Sequence, residues 1–130
     1  MSKTIGLIDD SKVMRSILRK SILMNNVQVS EFLEADNGVA GLEMLTGHRD
    51  RLDIVFMDLH MPRMNGVEML KRLRSEGIQS VPIVIVSTSA DHEMQKTCME
   101  LGAVGFIRKP FTPQDIGTLI GQIFGPGTAN

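Results

Sequence analysis

Short apolar runs alternate with longer amphipathic segments along the chain. Three runs are almost continuously apolar, at residues 5–8, 52–57 and 81–86, and two weaker ones lie at 27–33 and 105–107. Runs rich in Ile and Val without polar alternation are typical of strands that are buried on both faces, as in a parallel sheet. The pattern therefore predicts five short strands, with the three strongest ones buried on both faces.

The segments between these strands carry apolar residues at helical spacing, and each begins after a residue that can cap a helix. The residues that precede the predicted helices are Ser11, Asp36 and Asn37, Asn65 and Gly66, Asp91, and Thr112. In the first helix, the residues at helical spacing are Val13, Met14, Ile17, Leu18, Ser21 and Met24. The last start is the clearest, because Pro113 occupies the first helical position and Asp115 completes a capping-box pattern with Thr112.

Strand and helix thus alternate five times, without internal repeats, low-complexity tracts or linkers. This alternation indicates an α/β fold, an open doubly wound parallel sheet flanked by five helices, with right-handed crossovers. Five strands of this kind commonly take the order 2-1-3-4-5. The 130 residues fit one domain, predicted over residues 1–125, followed by a short C-terminal tail at 126–130.

Composition excludes several classes of protein. The formal net charge is -1 and the five aromatic residues are all Phe, which argues against a nucleic-acid binder with a base-stacking surface. The apolar runs are too short to span a bilayer, and Asp9 and Asp10 interrupt the N terminus before a signal-peptide core can form. A single cysteine excludes an internal disulfide and fits a reducing compartment. We therefore expect a soluble cytoplasmic domain that contacts neither nucleic acid nor membrane.

Polar residues gather at the predicted carboxyl ends of the strands. They are Asp9 and Asp10 after strand 1, Asp58 at the end of strand 3, Ser87 at the end of strand 4 and Lys109 after strand 5. The carboxyl ends of the strands in an open α/β sheet form the ligand crevice, above all where the strand order reverses. Since strands 1 and 3 would flank that reversal, these side chains are expected to converge.

Three carboxylates in one crevice repel each other, so without a counter-charge one or more would take up a proton. A hard divalent cation resolves the conflict, and Mg²⁺ suits one or two carboxylates, several waters and a substrate phosphate. Lys109 is a point charge suited to a phosphoryl oxygen, and Ser87 offers a hydroxyl donor. Acids, a lysine and a hydroxyl at the mouth of a sheet therefore indicate a site that handles a phosphoryl group.

Five motifs give the chain a resemblance to a known family. They are LIDDS at residues 7–11, ADNG at 35–38, MDLHMPRMNG at 57–66, IVST at 85–88 and GAVGFIRKPF at 102–111. Each is weak alone, but all of them in this order and at these spacings are highly specific. The sequence resembles the response-regulator receiver domains of two-component signalling, of the CheY-like single-domain type, from Lys3 to Phe124. The resemblance implies a flavodoxin-like fold.

The resemblance also implies a role for the polar residues at the predicted edge. Asp58 would accept a phosphoryl group from a phosphohistidine of a partner, and Lys109 would pair with the phosphoryl oxygens. Asp9, Asp10 and Asp58 would hold Mg²⁺, for which Mn²⁺ can substitute. The backbone carbonyl of His60 would supply a further ligand. Such a domain catalyses only its own phosphorylation and dephosphorylation, so a signalling phosphoacceptor is expected rather than an enzyme.

Two further positions match the family's switch residues. Ser87 fills the hydroxyl position that contacts the phosphoryl group in the active state, where Thr is frequent. Phe106 fills the aromatic position that moves inward with it, where Tyr is common. His60, Thr88 and Ser89 stand at variable positions that flank the site and are expected to tune the rates of phosphorylation and dephosphorylation.

The expected function is that of a phosphorylation-activated response regulator, served by a sensor histidine kinase or a histidine phosphotransfer protein. By the resemblance, the signal leaves through helix 4, strand 5 and helix 5 to an unidentified downstream protein, and the chain is a monomer. Three uses remain open: binding a target, as in chemotaxis and motility, relaying phosphate to a histidine phosphotransfer protein, or acting as a phosphate sink. A dehalogenase-type phosphotransferase would need its Asp motif after strand 1, and a flavodoxin-like cofactor carrier would need a phosphate loop there.

Overall fold

The computed structural model describes residues 2–88 and 91–125, and this part of the chain alternates between strand and helix throughout. The strands are β1 (Lys3–Ile8), β2 (Val29–Ala35), β3 (Ile54–Asp58), β4 (Ile83–Ser87) and β5 (Gly105–Arg108). The helices are α1 (Lys12–Leu23), α2 (Gly38–His48), α3 (Gly66–Ser75), α4 (His92–Glu100) and α5 (Pro113–Phe124). The tail predicted at 126–130 lies outside the described residues. Within the described ranges, no helix has both the length and the apolar content of a membrane-spanning segment.

All five strands join one parallel sheet in the order β2-β1-β3-β4-β5, which confirms the predicted α/β fold. The strand order reverses between β1 and β3, where Ile8 is level with Met57. Asp9 and Asp58 follow these two residues, so the register brings both carboxylates to the same level at one edge of the sheet. This edge is where doubly wound sheets bind their ligands.

Successive residues of the central strands point to opposite faces of the sheet and enter two separate cores. On β3, Val55 and Met57 belong to the core beneath α2, α3 and α4. Ile54 and Phe56 belong to the core beneath α1 and α5. All four side chains are completely buried, and burial of an apolar side chain of this size contributes about 1.5–3 kcal/mol. Packing from both sides makes β3 a rigid support for Asp58 at its end.

The predicted helix caps are confirmed. A backbone N–H in the first turn of each helix donates to the side chain of Ser11, Asn37, Asn65, Asp91 or Thr112. Helices α3 and α5 complete capping boxes with Glu68 and Asp115. Each cap satisfies a backbone donor that has no partner inside its helix, and so determines where the chain turns from the sheet edge into the helix.

The helix predicted after Ser11 is confirmed as α1, but only some of the residues at helical spacing are buried. Leu18 and Ser21 are buried. Val13, Ile17 and Met24, however, are 69%, 42% and 68% exposed. At 3.6 residues per turn, these three lie on a strip that is on the order of 100° around the helix axis from the buried one. Only one strip of α1 can face the sheet, so helical spacing alone does not show which apolar residues are buried.

Strands β3 and β4 both begin two residues later than their apolar runs predicted. Before β3, the chain still forms a loop in which a carboxylate oxygen of Asp53 accepts a hydrogen bond from the N–H of Thr4, at 2.8 Å. Before β4, Pro82 has no N–H to donate to a neighbouring strand. Strand β2 is displaced by two residues as well, from the predicted 27–33 to Val29–Ala35.

The first turn of α2 packs closely against the loop between β3 and α3. A Cβ added at Gly38 would lie 2.0 Å from the carbonyl oxygen of Met64, which is a backbone atom and cannot rotate away. Gly47, near the other end of the same helix, has no atom within 4 Å of such a Cβ. The two glycines therefore differ in packing, although both stand in α2.

We expect Gly38→Ala to lower the free energy of unfolding by about 1–3 kcal/mol, because the added methyl overpacks a rigid contact. Gly47→Ala should instead raise it by up to about 1 kcal/mol, because Ala loses less backbone entropy than Gly in a helix. Urea unfolding of both variants measures the difference. Effects of the same sign would contradict the close contact at Gly38.

Candidate functional site

Asp9, the first residue after β1, is held by several contacts and is only 1% exposed. Its backbone N–H donates to the carbonyl oxygen of Ala35 at 3.1 Å, which continues the pairing with β2. Its Oδ1 accepts a hydrogen bond from the N–H of Ser11 at 2.9 Å, and its Oδ2 accepts one from Nζ of Lys109 at 3.1 Å. The carboxylate is therefore held in one orientation.

Asp58, the last residue of β3, lies beside Asp9 and is 7% exposed. Its Oδ1 is 3.6 Å from Nζ of Lys109, which thus contacts both buried carboxylates. Asp10 is exposed at the rim. One carboxylate oxygen from each of these three aspartates lies within 4.8 Å of the others. The structure therefore brings the three predicted carboxylates together.

Lys109 reaches the carboxylates from the end of β5, with 12% of its side chain exposed. Its backbone N–H donates to the carbonyl oxygen of Ser87 at 2.8 Å, and the peptide bond to Pro110 is cis. Ser87 is completely buried at the end of β4. The lysine and the hydroxyl predicted from sequence are therefore neighbours on two adjacent strands.

The pKa of Asp58 is raised above its usual value, chiefly because burial penalises the charged form. The Asp9 carboxylate raises it further, whereas Lys109 and the backbone N–H groups of Leu59 and His60 lower it. Burial therefore outweighs the stabilisation that Lys109 and the two backbone N–H groups give to the charged form of Asp58.

The donor set fits a hard divalent cation. Asp9, Asp10 and Asp58 offer only oxygen atoms, close enough together to share one ion. Oxygen donors with an exposed rim suit an ion such as Mg²⁺, which retains several waters in proteins. A bound cation would also supply the positive charge that Lys109 alone does not. The three aspartates could therefore hold a metal ion.

Besides Ser87, the structure describes three of the predicted switch and rate-tuning residues. Phe106 is half-buried on the edge strand β5 and packs against the core beneath α2, α3 and α4. His60 and Thr88 are both exposed; Thr88 directly follows β4, and His60 stands two residues after the end of β3. Ser89 lies outside the described residues. The roles assigned to these residues, and to the His60 carbonyl, stay predictions.

Sequence reasoning missed two residues, Arg15 and Glu34, which together hold the backbone at Asp9. Arg15, in the first turns of α1, donates from Nη1 to the carbonyl oxygen of Asp9 at 2.6 Å. It also donates from Nε to Oε1 of Glu34 on β2 at 2.8 Å. The signal for Arg15 was its place in the helix that follows the acid pair. Glu34 stands 19 residues from Arg15 in the chain and gave no such signal.

Comparison with known proteins shows a family that this sequence matches. A sequence model of the response regulator receiver domain matches residues 5–121. A chemotaxis protein CheY homolog of Campylobacter jejuni is 32% identical over 123 residues, which cover 94% of this chain and 92% of that protein. The chemotaxis protein CheY of Pseudomonas aeruginosa is 31% identical over 121 residues, which cover 92% of this chain and 94% of that protein.

Solved structures share the fold. CheY of Borrelia burgdorferi, in a complex with CheX, beryllofluoride and magnesium, superposes with a TM-score of 0.83 at 21% identity, over 94% of this chain and 89% of that one. The signal receiver domain of NarL from Mycobacterium tuberculosis has a TM-score of 0.80 at 24% identity, over 93% and 94% of the two chains.

The raised pKa of Asp58 predicts a pH-dependent gain in stability for Asp58→Asn. Since the folded state holds the Asp58 proton more tightly than the unfolded state, the parent loses stability as pH rises through the folded pKa. The neutral amide does not titrate. In the presence of a chelator, the variant should therefore be more stable than the parent at pH 7, by a margin that shrinks toward acid pH.

Urea unfolding over a pH series, with Asp53→Asn as the control, measures that margin. Asp53 precedes the same strand at its other end, where its carboxylate accepts a hydrogen bond from the N–H of Thr4. The amide oxygen of Asn can accept the same hydrogen bond but carries no charge, so this change should weaken the contact and destabilise the fold. A margin for Asp58→Asn that stays constant with pH would show that its carboxylate titrates normally.

Proposed function

The chain belongs to the response regulator receiver domain family, and on that premise we propose that it is a phosphorylation-activated regulator whose phosphoacceptor is Asp58. The observation that carries the proposal is the convergence of the Asp58, Asp9 and Asp10 carboxylates with the Lys109 ammonium at one edge of the sheet. The phosphoryl group comes from a phosphohistidine of a sensor histidine kinase or of a histidine phosphotransfer protein.

Asp58 acts as a covalent nucleophile in this proposal. A carboxylate oxygen attacks the phosphorus, and the new O–P bond forms as the N–P bond of the phosphohistidine breaks. The imidazole leaves with the electron pair of that bond and takes up a proton from water. Placement at the end of a strand packed on both faces holds the attacking oxygen in position, which favours an in-line approach.

Two kinds of positive charge stabilise the product, whose phosphoryl group adds roughly -1.5 to -2 charge and three acceptor oxygens. When bound, Mg²⁺, or Mn²⁺ in its place, neutralises charge on the carboxylates and the phosphoryl oxygens. Asp9, Asp10, Asp58 and the backbone carbonyl of His60 would hold it. Lys109, 3.6 Å from Oδ1 of Asp58, is close enough to transfer its contact to a phosphoryl oxygen.

The switch begins at Ser87. Its hydroxyl donates to a phosphoryl oxygen and draws the end of β4 toward the site. Phe106 lies on the next strand, where it is level with Ile85, and turns inward as Ser87 moves. The changed surface of α4, β5 and α5 then binds the downstream protein. His60, Thr88 and Ser89 tune how fast the phosphoryl group is gained and lost.

Chemotaxis and motility are the pathway that we propose for this regulator. The Campylobacter jejuni and Pseudomonas aeruginosa relatives are named as chemotaxis proteins, and the chain covers more than nine-tenths of the length of each. The downstream protein is then one that recognises the phosphorylated form through α4, β5 and α5.

Asp58 should be labelled by acetyl phosphate in a Mg²⁺-dependent reaction, because a small phosphodonor needs only the nucleophile and its charge partners. Intact-mass measurement should show the gain of one phosphoryl group by the parent and none by Asp58→Asn. The matched control is Asp53→Asn, which leaves the edge of the sheet unchanged and should be labelled like the parent. An equal gain by Asp58→Asn, or none by the parent, would contradict the assignment.

Lys109→Ala should still gain the phosphoryl group but should not transmit it, because the ammonium links the phosphoryl oxygens to the backbone beside Ser87. In the parent, phosphorylation should shift the NMR signals of the Phe106 ring. In Lys109→Ala they should stay unshifted, whereas Lys20→Ala, at the far end of α1, should behave like the parent. A normal shift in phosphorylated Lys109→Ala would count against this coupling role.

A further inference from the structure

We propose that Arg15 is a positioning residue, which holds the peptide group between Asp9 and Asp10 in the orientation that the divalent cation needs. The inference rests on the cation site of the proposed function. It assigns a role to a residue that contacts the backbone of the site and none of the three carboxylates.

The Arg15 guanidinium is fixed by two directed contacts. Nη1 donates to the carbonyl oxygen of Asp9 at 2.6 Å, and Nε donates to Oε1 of Glu34 at 2.8 Å. Only 14% of the side chain is exposed. Because the guanidinium is planar and its donors form a rigid fork, two contacts on different atoms determine its orientation as well as its place.

The contact on the Asp9 carbonyl controls Asp10 more than Asp9. The carbonyl of Asp9 and the N–H of Asp10 belong to one planar peptide group, so holding the oxygen holds the start of the next residue. Asp9 also has contacts on its own carboxylate, from Ser11 and Lys109. Within residues 2–88 and 91–125, the Asp10 carboxylate has no hydrogen bond or ion pair. Its placement therefore depends on the backbone that Arg15 holds.

Through its contact with Glu34, Arg15 connects the backbone of the site to the edge strand β2. Its carboxylate also pairs with Arg19, one helical turn beyond Arg15. Arg19 lies over the ring of Phe32, 5.2 Å from the ring centre, and its side chain is 45% exposed. Arg19 thus shares the anchor of Arg15 without touching the site, which makes it the matched control.

Positioning and simple charge predict opposite effects on cation affinity. Replacing Arg15 by a neutral residue removes a positive charge near the site. The loss of Coulomb repulsion, taken alone, would make a divalent cation bind more tightly. Loss of positioning would make it bind more weakly. Removal of groups that orient metal ligands typically costs 10–100-fold in affinity. The sign of the change therefore separates the two explanations.

The test is an EPR titration with Mn²⁺ of the parent, Arg15→Met, Arg15→Lys and Arg19→Met. Methionine keeps an aliphatic stem and removes the donors. We expect Arg15→Met to bind Mn²⁺ about 10-fold or more weakly than the parent. Arg15→Lys keeps the charge without the fork, so it should also bind Mn²⁺ more weakly than the parent. Arg19→Met should bind like the parent.

A second readout needs no metal. In the apo protein, Arg15→Met should shift the NMR amide signals of Asp10 and Ser11 and speed their hydrogen exchange, while Arg19→Met leaves both unchanged. If Arg15→Met folds poorly, Arg15→Lys carries the comparison, because it keeps the positive charge and loses only the planar fork of donors. Arg15→Lys should then bind Mn²⁺ more weakly than the parent and shift the same two amides.

The outcomes separate this inference from the proposed function. A parent that binds no Mn²⁺ would overturn the cation site and, with it, the role of Arg15. A parent that binds Mn²⁺, together with an Arg15→Met variant that binds it equally or more tightly, would overturn the role of Arg15 alone. Equal weakening by Arg19→Met would also overturn it, since that change reaches only the shared anchor.

Discussion

Repulsion between buried like charges is the constraint on which this structure depends. Asp9 and Asp58 lie side by side at the sheet edge, 1% and 7% exposed, with Asp10 at the rim. Lys109 contacts both buried carboxylates and lowers the pKa of Asp58, but burial and the Asp9 carboxylate together still leave that pKa raised. In the proposed function, cation binding and phosphoryl transfer would both use the negative charge that the fold concentrates there.

The sheet bears that repulsion because its edge is built on strands that cannot shift. The register of Ile8 with Met57 makes the two carboxylates level, and each strand beneath them is packed on both faces. Displacing Asp58 to relieve the repulsion would slide β3 through two cores, in which residues such as Phe56 are completely buried. Packing at the centre of the molecule therefore keeps the charges close at its edge.

The sequence was sufficient for the parts of the structure that depend on local pattern. Buried runs ending in Asp, caps such as Thr112 and a lysine after the last strand predicted the fold and the members of the cluster. The sequence was insufficient where the burial or contacts of one segment depend on how another segment packs against it. Helical spacing in α1 did not show that Ile17 faces outward, because that depends on where the sheet lies. The pairing of Arg15 with Glu34 joins a helix to an edge strand, so the local sequence around either residue does not predict it.

The Lys109 ammonium, which contacts two aspartates, also bears on the proposed balance between resting and active molecules. Nζ of Lys109 is 3.1 Å from Asp9 and 3.6 Å from Asp58, so its shorter contact is with the aspartate that is not the proposed phosphoacceptor. In the function that we propose, phosphoryl oxygens on Asp58 would compete with Asp9 for this ammonium. The strength of that one ion pair would then bias the equilibrium between resting and active molecules. In the proposed pathway, it would set the background output before any stimulus arrives.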